Sequence, residues 1–270
     1  NYYPAGDEHS VVREVTGVSV PPLGLPLNVG CIVQNVETMR NVGRAVEGIP
    51  VTSRFLTCGG AVARPAIVEA RIGISFRTVI EACGGALPEE YVILAGGPMM
   101  GTIVRDIDTP VTKLTSGLIV LPADHRLVAV LTQEATHVIR QSKTACCQCT
   151  YCTELCPRYL LGHNLEPHKI MRQINLGLDI PAAVIEGALL CSECGVCETV
   201  ACTMDLSPRL MNRIIKERLR AAGYKADFSG QPAVARDMWP YRKVPTSRVL
   251  SRLGVGEYDV HPAKVVSDLA

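Results

Sequence analysis

The first 47 residues combine a short apolar run with a helical pattern. Residues 29–33 have the sequence Val-Gly-Cys-Ile-Val and predict a buried strand, and residues 37–46 place apolar side chains at helical spacing. Polar residues flank both elements, where their ordinary role is to cap helix ends. Because a strand followed by a helix is typical of α/β folds, we interpret residues 1–47 as the end of an α/β unit.

Residues 48–134 alternate between apolar and polar positions in a way typical of strands. Two runs, 54–58 and 66–71, predict a hairpin that turns at Gly59–Gly60. Ser75 is placed to cap a helix that Gly84–Gly85 ends. The apolar face of that helix consists of Phe76, Val79 and Ile80.

A returning strand is predicted at 91–95, and residues 117–131 contain further strand-like apolar runs. A hairpin, a crossing helix and a returning strand together predict a β-grasp-like module. The loop Gly96-Gly-Pro-Met-Met-Gly101 lacks the Gly-Lys-Ser/Thr ending of a phosphate loop, and we interpret it as a tight turn.

The pattern changes near Ala135, where helical stretches and cysteine-rich loops begin. Glu166–Pro167 predicts the start of a helix that ends at Gly177, and Ser207–Pro208 predicts a second that ends at Gly223. Each helix follows a group of cysteines, so the region 135–225 is predicted to be an internal duplication.

The last segment, 226–270, is polar and contains several prolines. Its weak patterning predicts an extended arm with one short helix at 247–253.

Eight of the 12 cysteines lie in these two groups, and their spacing indicates iron–sulfur chemistry. The first group has the C-x2-C-x2-C-x3-C-P spacing that binds a [4Fe–4S] cluster, and in two-cluster ferredoxins the fourth cysteine of each run serves the other cluster. We therefore expect two clusters with crossed ligands. One is assigned to Cys146, Cys149, Cys152 and Cys202, and the other to Cys191, Cys194, Cys197 and Cys156.

The second group departs from the standard spacing. Four residues separate Cys197 from Cys202, and Thr203 stands where the pattern has proline. One extra residue is easily absorbed in a loop, so a full cluster is still expected. Cys147 is a spare beside Cys146 and is assigned to neither cluster. Three cysteines remain, and we interpret them as buried small hydrophobic residues: Cys31, Cys58 and Cys83.

Cysteine pairs two residues apart also bind zinc, so a zinc scaffold without a redox role is an alternative. Disulfides are disfavoured because cysteines this close in sequence bridge poorly. Thiols reserved for metal fit a reducing cytoplasm.

Composition and charge exclude other classes of function. The chain has 270 residues, 27 basic and 26 acidic side chains, and a net charge of +1 without a basic block, which argues against nucleic acid as a partner. No apolar run approaches the roughly 20 residues that span a bilayer, so we expect no membrane span. The first residue is Asn1, not Met, and we expect the chain to be part of a longer protein.

Several segments occur in the same order in one known family. Tyr3-Pro-Ala-Gly6-Asp7-Glu8, Gln34-Asn-Val-Glu-Thr38, the β-grasp segment, Gly96–Gly101 and the paired cysteine runs resemble the RnfC-like family, which is akin to the flavin-bearing subunit of respiratory complex I. The spacing of the second cysteine run resembles the cobalamin reductases of propanediol-utilising bacterial microcompartments.

This resemblance implies a multi-domain α+β protein. Residues 1–47 would be the C-terminal part of a Rossmann-like FMN domain, and residues 48–134 a β-grasp (SLBB-like) module with connecting strands. Residues 135–225 would form a helical, bacterial-type ferredoxin-like domain with two clusters, followed by the arm 226–270.

The resemblance also implies cofactors and partners. FMN would accept a hydride pair from NADH, the clusters would carry single electrons, and cobalamin would receive them. The family's flavin contacts would fall on Tyr3, Gly6, Glu8, Asn35 and Thr38. No catalytic residue is expected, because such a relay needs no acid, base or nucleophile.

The family's glycine-rich flavin loop lies upstream of Tyr3, and glycine amides at a helix start are what hold a flavin phosphate. We therefore expect the full-length protein to hold FMN and this segment alone to hold it weakly.

Further partners implied by the resemblance are an adenosyltransferase and microcompartment shell proteins, with a cytoplasmic location inside the microcompartment. Two alternatives remain: an RnfC-type subunit of a membrane electron-transport complex, and a flavin-free ferredoxin-like carrier.

Overall fold

A computed structural model describes residues 1–176, 181–228, 231–259 and, for the backbone alone, 265–269. The chain divides into two compact units. The cysteine unit combines Asn1–Val33 with Glu134–Arg252, and the sheet unit combines Gln34–Gln133 with Leu253–Ala270. The segment 1–47 is thus divided between the two units.

The described elements are numbered in chain order. The strands are β1 (Tyr2–Tyr3), β2 (Ser53–Gly60), β3 (Ala66–Arg71), β4 (Tyr91–Ala95), β5 (Thr102–Val104), β6 (Gly117–Pro122), β7 (Val244–Pro245) and β8 (Val265–Leu269). The helices are α1 (Glu8–Thr16), α2 (Val36–Val46), α3 (Phe76–Ala82), α4 (Arg126–Leu131), α5 (Ala135–Ala145), α6 (Tyr151–Glu154), α7 (Pro157–Leu160), α8 (Pro167–Leu176), α9 (Ala182–Gly187), α10 (Pro208–Ala221) and α11 (Thr246–Leu253).

The sheet unit is built on six strands in the order β5-β4-β6-β2-β3-β8. Strands β2 and β3 form the predicted antiparallel hairpin, with Ser53 opposite Arg71, and β6 joins β2 in parallel. Helix α3 packs its apolar side chains into the same core as the inward-facing residues of the strands. The hairpin, the helix and the strand β4 are therefore confirmed.

Helix α3 illustrates how local signals determine an element in this unit. The Ser75 hydroxyl accepts a hydrogen bond from the Thr78 amide, which satisfies one of the free donors at the helix start. Gly84 and Gly85 follow the helix with positive φ angles of 86° and 85°, a conformation that ends helices at low cost. The predicted buried face is confirmed, because Phe76, Val79 and Ile80 are all at most 3% exposed.

Two predicted strands are wrong. Pro26–Val29 is a 3-10 helix that ends at Gly30, with a φ of 73°, and residues 31–35 pair with no strand. Ile32 is 77% exposed, so the apolar run has no sheet to cover it. In the run 117–131, only β6 is a strand, because residues 126–131 form α4.

Residues 126–131 form a helix rather than a strand because of a cap at the start of α4. The His125 side chain accepts a hydrogen bond from the Leu127 amide and caps the helix. A short apolar run is compatible with either a helix or a strand, and here the cap favours the helix.

The predicted hairpin turn is also displaced. Gly59 and Gly60 are the last residues of β2, where they pair with Ile119 and Val120 of β6, and the chain turns after them.

The segment after Gly223 is divided between the units: residues up to Arg252 pack within the cysteine unit, and Leu253–Ala270 belong to the sheet unit, where β8 pairs with β3. Trp239 is 7% exposed and its indole N–H donates to Glu14 at 2.8 Å. Strand β7 pairs with β1. The short helix predicted at 247–253 is confirmed as α11. The predicted starts of α8 and α10 are also confirmed, whereas Gly177 lies outside the described residues.

Replacing Gly60 by alanine is expected to destabilise the sheet unit by about 2 kcal/mol or more. Its φ is 81°, and a Cβ atom there would lie 2.2 Å from the Val120 carbonyl oxygen. Gly59→Ala is the matched control, because a Cβ at Gly59 meets nothing within 4 Å. Thermal and denaturant unfolding of the two variants measures the difference, and equal stabilities would contradict the packing described.

Candidate metal centres

The structure groups the cysteines of the two runs around two cavities. The first cavity is lined by the thiols of Cys146, Cys149, Cys152 and Cys202, and the neighbouring Cys147 is also part of its wall. The second is lined by those of Cys156, Cys191, Cys194 and Cys197. Each set of four takes three cysteines from one run and the last from the other run. These are the two sets that the sequence assigns to the two clusters.

The extra residue of the second run is accommodated by a change of helix type. Residues Cys197–Ala201 form a single π-helical turn, in which the Cys202 amide donates to the Cys197 carbonyl at 3.1 Å. A π turn places one more residue in a helical turn than an α turn does. It therefore carries Cys202 across to the first cavity despite the longer spacing.

The loops between the cysteines adopt backbone conformations that direct N–H groups toward sulfur. Gln148, Thr150 and Glu193 all have positive φ angles, which are unusual for residues with side chains. The Glu193 amide donates to the Cys191 sulfur at 3.4 Å, and the Leu206 amide donates to the Cys202 sulfur at 3.3 Å. Hydrogen bonds of this kind stabilise thiolates that bind metal.

Six of the eight assigned thiols lie in environments that oppose ionisation. Burial raises the pKa of Cys152 to about 12, and the neighbouring thiols Cys149, Cys202 and Cys146 contribute to the rise. Burial likewise raises the pKa of Cys191 to about 11.

The pKa values of four other thiols are also raised, chiefly by burial, at Cys156, Cys194, Cys197 and Cys202. Closely grouped thiolates that are largely withdrawn from water are stabilised by a cation, so the donor sets fit a bound metal-containing group.

Four thiolates at about 2.3 Å from one zinc ion would lie within roughly 4 Å of one another. Among the residues that the structure describes, no three His, Cys, Asp or Glu side chains are arranged to hold one metal ion.

The two cavities differ in their charged neighbours. The second is lined by Arg158, Glu193 and Arg209, and the Lys216 ammonium donates to the Cys191 carbonyl at 2.7 Å. The first has no lysine or arginine among its described lining residues. Its imidazole, His168, has its pKa lowered by burial and interacts with the Thr153 hydroxyl at 2.7 Å.

The residues assigned to the flavin are divided between the units. Tyr3, Gly6 and Glu8 lie before and at the start of α1 in the cysteine unit. Asn35 and Thr38 lie at the start of α2 in the sheet unit, where Asn35 accepts a hydrogen bond from the Glu37 amide at 2.9 Å.

Tyr3 makes a contact that the sequence did not predict. Its hydroxyl donates to the carbonyl oxygen of Cys194 at 2.8 Å, across 191 positions of the chain. The Asp7 carboxylate likewise pairs with Arg158 at 3.0 Å. The start of α1 is therefore attached directly to the loops of the second cavity. No local pattern could reveal these contacts, because both depend on the tertiary fold.

Comparison with protein families matches three parts of the chain. A 4Fe-4S dicluster domain matches residues 145–207, the Nuo51 FMN-binding domain matches residues 1–44, and the SLBB domain matches residues 56–103. These matches support iron–sulfur clusters and FMN-related binding as the cofactors. Among the described residues, no helix has the length and apolar character needed to cross a membrane.

Curated relatives extend over nearly the whole chain. The cobalamin reductases PduS of Citrobacter freundii and Salmonella typhimurium are each 44% identical over 257 residues, which is 95% of this chain and 56% of each relative. A component of the Na(+)-translocating ferredoxin:NAD(+) oxidoreductase complex of Acetobacterium woodii is 36% identical over 165 residues, 60% of this chain and 34% of that protein. The chain thus spans about half the length of the curated relatives that match most of it.

A more distant likeness exists to a crystal structure of an NAD+-reducing [NiFe]-hydrogenase. The identity is 17% and the TM-score 0.43, over 84% of this chain and 42% of that one.

Two buried histidines are expected to make the cysteine unit sensitive to acid. His9 contacts His163 edge-on with ring centroids 5.3 Å apart. Burial, with Arg158 and His163, lowers the pKa of His9 to about 3, and burial lowers the pKa of His163. Below about pH 6.5 the unfolded chain therefore binds protons that the folded chain excludes, and stability falls by at most about 1.4 kcal/mol per pH unit for each histidine.

Anaerobic thermal unfolding between pH 7.5 and 5.5 measures this dependence. His9→Gln is expected to reduce the slope, and replacing the exposed His137 by Gln is expected to leave it unchanged. A slope unaffected by His9→Gln would contradict the assignment.

Proposed function

The chain belongs to the family that includes the PduS cobalamin reductases and related components of ion-translocating oxidoreductase complexes, and from this we propose that it is part of a flavin and iron–sulfur oxidoreductase. In this proposal, electrons pass from NADH through FMN and two [4Fe–4S] clusters to cobalamin. The identity of 44% over 95% of the chain supports the family's redox role. The acceptor, cobalamin, is proposed from the PduS relatives alone.

The observation that carries the proposal is the pair of cavities, each lined by one of the two sets of four cysteines. A [4Fe–4S] cluster has four irons, and each needs one thiolate. One cluster would be held by Cys146, Cys149, Cys152 and Cys202, and the other by Cys156, Cys191, Cys194 and Cys197. When bound, FMN supplies the exchange between two-electron and one-electron chemistry, and the clusters carry the single electrons.

The protein's own contribution to this chemistry is environment and position. Backbone amides donate to the ligand sulfurs, as at Glu193 and Leu206, and spread the negative charge of a cluster. The cysteines of the second cavity are buried or partly buried, whereas Cys149 of the first cavity is exposed. We therefore propose the first cluster as the one nearer to the electron acceptor.

A second candidate is an RnfC-type subunit of a membrane complex, which the Acetobacterium woodii relative favours. That relative is 36% identical over 60% of this chain, whereas PduS is 44% identical over 95% of it. A flavin-free carrier is the third. Reduction of cob(III)alamin or of ferredoxin by NADH, measured with the longer protein, separates the first two candidates. A longer protein that never binds FMN would favour the third.

Location and further partners belong to the same proposal. By the same likeness to PduS, we propose a cytoplasmic protein inside a bacterial microcompartment. An adenosyltransferase and shell proteins would be its neighbours there. Pull-down from a microcompartment preparation, with a preparation lacking shells as the control, tests these contacts.

Anaerobic reconstitution is expected to give about eight irons and eight sulfides per chain. The reduced protein should show the EPR signals of two interacting [4Fe–4S] clusters. Zinc in stoichiometric amount, or a colourless and diamagnetic protein after reconstitution with iron and sulfide, would contradict the redox proposal.

The crossed sets predict which cluster each cysteine substitution damages. Cys202→Ser is expected to disrupt the cluster on Cys146, Cys149 and Cys152 and to leave the other in place. Cys156→Ser is expected to do the reverse, and Cys147→Ser should retain both clusters. Iron content and EPR of the three variants provide the measurement. Loss of the Cys191 cluster in Cys202→Ser would overturn the crossed assignment.

A further inference from the structure

Arg158 lies in the wall of the second cavity, two residues after the ligand Cys156. It follows Cys156 and Pro157 in α7, so the helix start that positions the cysteine also positions the guanidinium. The side chain lines the cavity and is 12% exposed. A charge this well buried needs partners for its N–H groups.

Only part of the Arg158 guanidinium is matched by protein acceptors. Nη2 donates to the Asp7 carboxylate at 3.0 Å. Nε and Nη1 are buried, and neither has a hydrogen-bond partner among the described residues. Unmatched buried donors are costly, and a buried cation is more so. These two nitrogens are therefore suited to an anionic acceptor in the cavity.

The other positively charged side chains near the second cavity already bind acceptors of the protein. Lys216 donates to the Cys191 carbonyl and to the Glu193 carboxylate. Arg209 forms an ion pair with Glu198. Within the described part of the chain, Arg158 is thus the cation at this cavity with donors available to a cluster, and the first cavity has no equivalent arginine or lysine in its lining.

Asp7 opposes the charge of Arg158. One of its carboxylate oxygens caps α1 by accepting from the amides of His9 and Ser10, at 3.1 and 3.3 Å. The other oxygen holds Arg158, and the Asp7 side chain is 15% exposed. The pair therefore places one positive and one negative charge beside the second cavity, with little screening by water.

We propose that Arg158 donates N–H···S hydrogen bonds to the cluster of Cys156, Cys191, Cys194 and Cys197 and raises its reduction potential, and that Asp7 lowers it. The inference rests on the proposed function, because it requires that cluster. One-electron reduction adds one negative charge to the cluster. A nearby cation and N–H donors stabilise that charge, and a nearby anion destabilises it.

The two charges give variants with opposite expected effects. Arg158→Gln should lower the potential of this cluster by at least about 59 mV, which is a tenfold change in a one-electron equilibrium. Asp7→Asn should raise it, because asparagine retains the helix cap and removes the charge. The other cluster should shift much less in both variants. A purely structural role for the ion pair would shift the potential in the same direction in both.

The measurement is an anaerobic redox titration of the reconstituted chain followed by EPR. The signal of each cluster is identified from Cys156→Ser and Cys202→Ser. Arg213→Gln is the matched control, because it removes one positive charge from an exposed position on α10 in the same unit. Arg158→Lys keeps the charge and loses the planar donor group, so its potential should lie between those of wild type and Arg158→Gln.

The outcomes separate this inference from the proposed function. Failure of the wild-type chain to assemble two clusters would refute the proposed function. Two clusters whose potentials are unchanged in Arg158→Gln, or changed equally, would overturn the role of Arg158 alone. If Arg158→Gln does not assemble the second cluster, Asp7→Asn decides: a raised potential supports the inference, and an unchanged or lowered one overturns it.

Discussion

The exchange of one cysteine between the two runs is the constraint on which the cysteine unit depends. Cys156 belongs to the first run in sequence but lines the second cavity. Cys202 belongs to the second run but lines the first cavity. Neither cavity is complete without a residue from the other half of the duplication. The helices that follow each run must then pack against each other, and the contacts between α8 and α10 meet this requirement. Metal binding and the packing of the two halves are therefore coupled.

Patterns that act over a few residues were predicted well from the sequence. The cap at Ser75, the glycines after α3 and the alternation in β2 and β3 each involve neighbours in the chain, and the structure has these elements where the sequence places them. Residues 29–33 were misjudged, because five apolar residues predict burial without saying whether a sheet is present.

The candidate site, like the fold, could be predicted from the sequence only in part. The two sets of cysteines follow from spacing and a known pattern of ligation, but the surroundings of the cavities do not. Tyr3 and Asp7 reach the second cavity over more than 150 positions, and only the fold brings them there. The Arg158 side chain carries no sequence signal that distinguishes it from the other basic residues of the unit.

The π turn at Cys197–Ala201 has a consequence for recognising proteins of this kind. The inserted residue changes the count between two cysteines while Cys202 still lines the first cavity. A search that demands three intervening residues would find one complete motif here and classify the chain as a single-cluster protein. The longer spacing is therefore compatible with four cysteines at the first cavity, and counting rules for such motifs should tolerate one extra residue at this point.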